Sequence, residues 1–166
     1  MPNTVDGPDF ECKPIILCFV AVYLPGFRSG GPVRTIANFV DHLSDDFDIR
    51  IVTADRDRTM AVQYPEVTVN GWNKVGSAQV YYLSPDMQTL RVVARLMRET
   101  PHDVLYLNSY FDFKFIGLPL LARKLHMVPQ KPCVIAPRGE FSPNAIRMKA
   151  WKKGPYRFFA SLFQIY

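Results

Sequence analysis

Ile15-Ile16-Leu17-Cys18-Phe19-Val20-Ala21-Val22, running into Tyr23-Leu24-Pro25-Gly26-Phe27-Arg28-Ser29-Gly30-Gly31-Pro32, is the stretch that decides the fold. Eight consecutive apolar residues are too few for a helix and too uniform for a half-exposed strand. They suit a strand buried on both faces, as in a parallel sheet. Pro32 fits the first turn of a helix, where its missing N–H costs nothing. Val33, Ile36, Ala37, Val40 and Leu43 then recur at helical spacing. The chain therefore opens with a strand, a glycine-rich turn and a helix.

The same alternation continues outward. Ile49-Arg50-Ile51-Val52-Thr53 reads as a second strand, and Val80-Tyr81-Tyr82-Leu83 as another. Between them Gly71, Trp72 and Gly76 mark turns, and Val67-Thr68-Val69 suggests a short edge strand. Ser84-Pro85-Asp86 predicts a helix start ahead of Leu90, Val93, Ala94, Leu96 and Met97. Asp103–Asn108 is a further buried strand, Phe113–Leu125 a helix, and Cys133–Ala136 a last strand. Strands alternating with helices predict an α/β fold, a doubly wound, mostly parallel sheet with helices on both faces. In such sheets ligands bind beyond the carboxyl ends of the strands. Gly30-Gly31, Asn108-Ser109-Tyr110 and Arg138-Gly139-Glu140 all follow strands and so converge on that edge.

Composition sets outer limits. The chain has 166 residues, 48% hydrophobic and 21% charged, which is globular and not disordered. No apolar run approaches the roughly 20 residues of a membrane span. Asp6, Asp9 and Glu11 in the leader argue against a signal peptide. Cys12, Cys18 and Cys133 lack metal-ligand spacing and read as small core residues of a cytoplasmic protein. Net charge is +5, unevenly spread: residues 1–122 hold 11 basic against 14 acidic groups, and from Arg123 onward nine basic residues face Glu140 alone. That tail either attracts phosphates or is a solvated surface.

After Pro143 a basic helix is expected, with Arg147, Lys149, Trp151, Lys152 and Lys153, stopped by Gly154-Pro155. A last helix follows, apolar at Tyr156, Phe158, Phe159, Leu162, Phe163, Ile165 and Tyr166. Apolar around most of its girth, it needs partners on several sides, which predicts either a second domain or closure of its own. Expected organisation is thus a loose leader over 1–13, a Rossmann-like domain over 14–153, and a helix over 154–166 leading towards a missing C-terminal domain.

Among the loops, Gly30-Gly31 permits close backbone approach at a helix N-terminus, with Arg28, Ser29 and Arg34 beside it. The pair is either an anion site or a plain turn, and it matches neither G-x-G-x-x-G nor a phosphate-binding P-loop. Arg138 and Glu140, either side of Gly139, bring a cation and a carboxylate to one volume. They suit phosphate or hydroxyl binding and base chemistry, or else a mutual salt bridge. His42, His102 and His126 lie away from strand carboxyl ends and are assigned no catalysis. The phenylalanines near the basic tail are spaced for helix packing, which disfavours nucleic acid.

Three segments together resemble family 4 glycosyltransferases of the GT-B fold: Leu24–Arg34, the strand end Asn108-Ser109, and Ile135-Ala136-Pro137-Arg138-Gly139-Glu140-Phe141-Ser142-Pro143-Asn144-Ala145 with its Lys-rich helix. The resemblance covers nearly the whole chain from about Lys13. It implies half of a GT-B fold, the N-terminal acceptor-side domain of a retaining hexosyltransferase-type enzyme of polysaccharide biosynthesis. The expected substrates are a nucleotide-sugar donor and a glycan or lipid-linked acceptor, with no cofactor and no required metal. Arg138 and Glu140 are then the expected catalytic residues. Arg28, Ser29, Gly30, Gly31, Arg34, Asn108, Ser109 and Gly139 are the expected substrate-binding set. The basic helix resembles membrane-facing patches of related enzymes, so an anionic inner-membrane surface is an expected partner. Most nucleotide-sugar contacts are expected from the missing domain, so the chain alone is expected to be inactive. The competing reading is a stand-alone doubly wound module that binds a phosphorylated ligand or a partner protein.

Overall fold

The computed structural model describes residues 13–26, 30–58 and 60–138. Strand β1 (Ile15–Val20) sits inside the sheet, paired in parallel with β2 (Asp48–Ala54) on one side and β5 (Val104–Asn108) on the other. Its alternation explains the unbroken apolar run. Leu17 and Phe19 point into one core, Ile16, Cys18 and Val20 into a second on the opposite face. Both faces are covered beyond the half-buried Ile15, and a polar side chain at Leu17, Cys18, Phe19 or Val20 would be cut off from water.

The complete sheet also contains β3 (Trp72–Val75), β4 (Ala78–Leu83) and β6 (Cys133–Ala136), in the order β3-β4-β2-β1-β5-β6. Only β3 runs antiparallel, so the sheet is mostly parallel. Helix α1 (Gly31–Leu43) buries Val33, Ile36 and Val40 on one face. Helices α2 (Leu90–Glu99) and α3 (Leu118–Lys124) bury Val93, Ala94, Met97, Leu118, Leu120 and Ala122 on the other. The architecture is the doubly wound, Rossmann-like α/β fold expected from the sequence.

Four local expectations are corrected. Trp72, read as marking a turn, instead opens the edge strand Trp72–Val75, which returns along β4 through a tight turn at Gly76, whose φ is 58°. Val67-Thr68-Val69 is no strand, and only Val69 bridges to Tyr82. The helix expected from Ser84 is a short 3₁₀ turn, Pro85–Met87, and α2 begins at a new cap where Thr89 Oγ1 accepts from the Val92 N–H. The helix expected from Phe113 opens as a wide π turn, Phe113–Gly117, with Asp112 O accepting from Ile116 and Gly117. Regular α geometry then starts around Pro119, which has no N–H to donate backwards.

The leader, most of the acidic and basic tail, and the last two expected helices, including Arg147, Lys149, Trp151, Lys152 and Lys153, lie outside the described residues. Among the described residues no helix is long and apolar enough to cross a membrane.

Candidate functional site

Winding reverses at β1. From β1 the chain passes over α1 to β2, whereas β5, on β1's other side, is reached later over the opposite face. The strands stay paired to their ends, Val20 opposite Asn108, but the connections that follow β1 and β5 leave over opposite faces, which forms the crevice where doubly wound sheets hold ligands. Strand β6 pairs with β5 and ends level with it, Asn108 opposite Ala136. The loops after β1, β5 and β6 thus share one edge.

Gly30 caps α1 at φ 55°, ψ −109°, a conformation that favours glycine. Pro32 stands in the first turn, and the Arg34 N–H donates to Gly30 O at 3.2 Å. No acidic side chain occupies that turn. An exposed Arg34 beside the positive end of a 13-residue helix reinforces its pull on an anion. Gly30, Gly31, Val33 and Arg34 border a hollow of about 320 Å³ with Leu24 and Gly26.

On the neighbouring strands, Arg138 Nε donates to Asn108 Oδ1 at 2.6 Å and its Nη2 to Tyr106 Oη at 2.9 Å. Tyr106 stacks on Phe39 of α1, ring centroids 5.0 Å apart. Burial raises the Tyr106 phenol, and the guanidinium draws it partly back. Arg138 is therefore linked through Tyr106 to the helix whose N-terminus carries Gly30 and Gly31. Arg138 and Ser109 both have positive φ, 51° and 120°, and the Ser109 N–H donates to Ala136 O at 2.9 Å. Backbone strain of this kind concentrates at functional sites.

Of the expected site residues, Gly30, Gly31, Arg34, Asn108, Ser109 and Arg138 come to this edge. Arg28, Ser29, Gly139 and Glu140 lie outside the described residues. Arg138's described partners are Asn108 and Tyr106. The three histidines sit elsewhere: His42 and His102 hydrogen-bond to Asn38 O and Thr100 O, and His126 lies in the turn after α3, its N–H donating to Arg123 O. Among the described residues no group of three or more His, Cys, Asp and Glu side chains could hold a metal.

The same edge has a second feature that the sequence reading missed. A cleft of about 380 Å³ opens on the α2–α3 face, lined by Arg56, Asp57, Arg58, Asp112, Lys114 and the rings of Phe111 and Phe113, among others. Asp55, at the end of β2, is fully buried and takes a two-pronged grip from Arg56, Nε to Oδ1 and Nη2 to Oδ2, each 2.8 Å. Arg56 Nη1 also donates to Ala61 O at 2.5 Å, holding the loop after β2. Arg58 pairs with Asp112, joining that loop to the one after β5. Asp112 Oδ1 in turn accepts from the Phe115 N–H at 2.8 Å. The run Asp55-Arg56-Asp57-Arg58, alternating in charge directly after a buried strand, was the available signal. Arg58's partner, Asp112, lies 54 positions away, beyond the reach of local pattern.

No protein-family model matches the chain, and no curated protein and no solved structure matches it either.

Proposed function

We propose that this chain is the acceptor-binding half of a retaining GT-B-type glycosyltransferase, moving a sugar from a nucleotide-sugar to a glycan or lipid-linked acceptor. The observation that carries the reading is the convergence of the Gly30-Gly31 helix N-terminus and the Arg138–Asn108 pair on the carboxyl edge of adjacent parallel strands. Glycine backbone and a helix N-terminus stabilise negative charge that grows on a leaving diphosphate. Arg138 supplies a planar cation already oriented by two hydrogen bonds, so little reorganisation is needed when charge develops. The adjoining cleft mixes carboxylates, guanidinium groups and aromatic rings, the groups that bind sugar hydroxyls and sugar faces. In this reading a nucleotide-sugar-binding lobe supplies the remaining donor contacts.

Amide NMR titration of the chain with saccharides and with nucleoside diphosphates tests the reading. Both are expected to move the signals of Gly30, Gly31, Asn108 and Arg138. Shifts from the diphosphate alone, with no saccharide response anywhere on this edge, would favour the non-catalytic phosphate-binding module and end the transferase reading.

A further inference from the structure

The reading above leaves open whether the acceptor is a plain glycan or carries a lipid, and two adjoining cavities bear on that choice. The polar cleft shares the side chains of Asp57 and Met60 with a second groove, of about 590 Å³, on the α1 face of the sheet. That groove is walled by Leu24, Pro25, Met60, Val62, Pro65 and Val67, with few polar groups. Leu24, Met60 and Val62 are 37%, 40% and 70% exposed, so three of the eight exposed large apolar side chains among the described residues gather in one slot. Such clustering marks a surface that something apolar covers.

The cleft's charges set the head group. Arg56, Arg58 and Lys114 line the cleft with Asp57 and Asp112; Arg56 is neutralised from behind by the fully buried Asp55, and Arg58 by Asp112, so only Lys114 and Asp57 are left to each other. A balanced mixture of donors and acceptors beside Phe111 and Phe113 favours a neutral polyhydroxyl head over an anion. Resting on the transferase reading, we propose that the acceptor is a glycolipid, whose saccharide occupies the cleft while its hydrocarbon chain crosses the Asp57–Met60 wall into the groove. A concave slot lined by a few exposed side chains fits a single chain; a protein partner needs a face of about 800 Å².

Titrating the 166-residue chain with octyl and methyl glucosides, galactosides and mannosides, below micelle formation and with octanol as control, tests this. Burying only two methylenes is worth about tenfold in affinity, so at least one octyl glycoside is expected to bind about tenfold tighter than its methyl congener. Val62→Asp, at a site too exposed to disturb folding, is expected to bring that ratio close to one. Lys114→Ala is expected to weaken the octyl glycoside severalfold without changing octanol. Equal affinity for octyl and methyl congeners overturns the glycolipid but leaves the transferase reading intact if methyl glycosides still move Asn108 and Arg138. Octanol binding as tightly as the octyl glycosides, or an unchanged ratio in Val62→Asp, overturns it too. Failure of every glycoside to bind sinks both readings together.

Discussion

Arg138 Nε donates to Asn108 Oδ1 at 2.6 Å, and this bond ties the loop after β6 to the last residue of β5. The same guanidinium reaches Tyr106 Oη, so one planar group spans a side-chain amide and a phenol that project from the same strand. Lysine keeps the charge but not the fork. Arg138→Lys is therefore expected to cost about 1 kcal/mol in urea unfolding, since the bonds are only partly sheltered from water. If the residue also meets ligand, Arg138→Ala lowers diphosphate or saccharide affinity by about tenfold as well. Unchanged affinity would reduce Arg138 to a loop anchor.

The Asp55–Arg56 pair makes a sharper stability prediction. Asp55 has no exposed surface, whereas Arg56 is about a quarter exposed. Removing the arginine strands a buried carboxylate, which costs far more than losing both partners. Arg56→Met is expected to destabilise by about 3 kcal/mol. Adding Asp55→Asn to it should restore part of that loss. Chemical denaturation of the two single variants and the double variant closes the cycle. Additive losses would mean that the pair is not coupled.

Alkaline pH probes the core behind the Leu24 turn. Tyr23 and Tyr82 are buried, and burial pushes each phenol from 10.0 up to about 12. Through that window the folded chain keeps protons that the unfolded chain has lost. Their contribution is complete below pH 10 and is lost as pH climbs to 12, at about 1.4 kcal/mol per unit for each phenol. Tyr82→Phe removes the 2.5 Å bond to Leu24 O, costing about 1 kcal/mol at neutral pH, yet flattens the alkaline slope by one proton's worth. Urea midpoints across that range measure both effects.

What the sequence disclosed and what it hid follow from burial. Ile15–Val20 and Val104–Asn108 are covered on both faces or nearly so, and an unbroken apolar run leaves little choice of element. Val33, Ile36 and Val40 announce α1 because only one of its faces is buried. Trp72–Val75 gives no such signal, since an edge strand has a single partner and alternates between exposed and half-exposed positions. The tips after β1, β5 and β6 were legible as a site because a parallel sheet sends every strand's carboxyl end the same way. Arg138's partners were not, because Asn108 and Tyr106 lie 30 and 32 residues earlier, whereas Glu140 stands two positions away and claims attention by proximity. The Arg58–Asp112 strap was hidden for the same reason.

Gly30 and Gly31 separate fold from function most cleanly. At Gly30 the backbone takes φ 55° with ψ −109°, so any side chain is strained there even though a Cβ would meet nothing within 4 Å. Gly30→Ala is expected to cost about 1–3 kcal/mol, read directly from thermal or urea unfolding. Gly31 opens α1 directly before Pro32, where a Cβ in helical backbone crowds the proline ring, although nothing beyond its chain neighbours lies within 4 Å. Alanine's narrower unfolded ensemble and that crowding oppose each other, so Gly31→Ala is expected to change stability by less than about 1 kcal/mol. A ligand adds a separate demand, because a methyl group at the mouth of the helix keeps a diphosphate from the first N–H groups of α1. Gly31→Ala should therefore weaken nucleoside diphosphate binding by about tenfold, a loss that its small stability change does not explain. If the affinity stays where it was, Gly31 is only a turn residue and the helix N-terminus is not where phosphate is held.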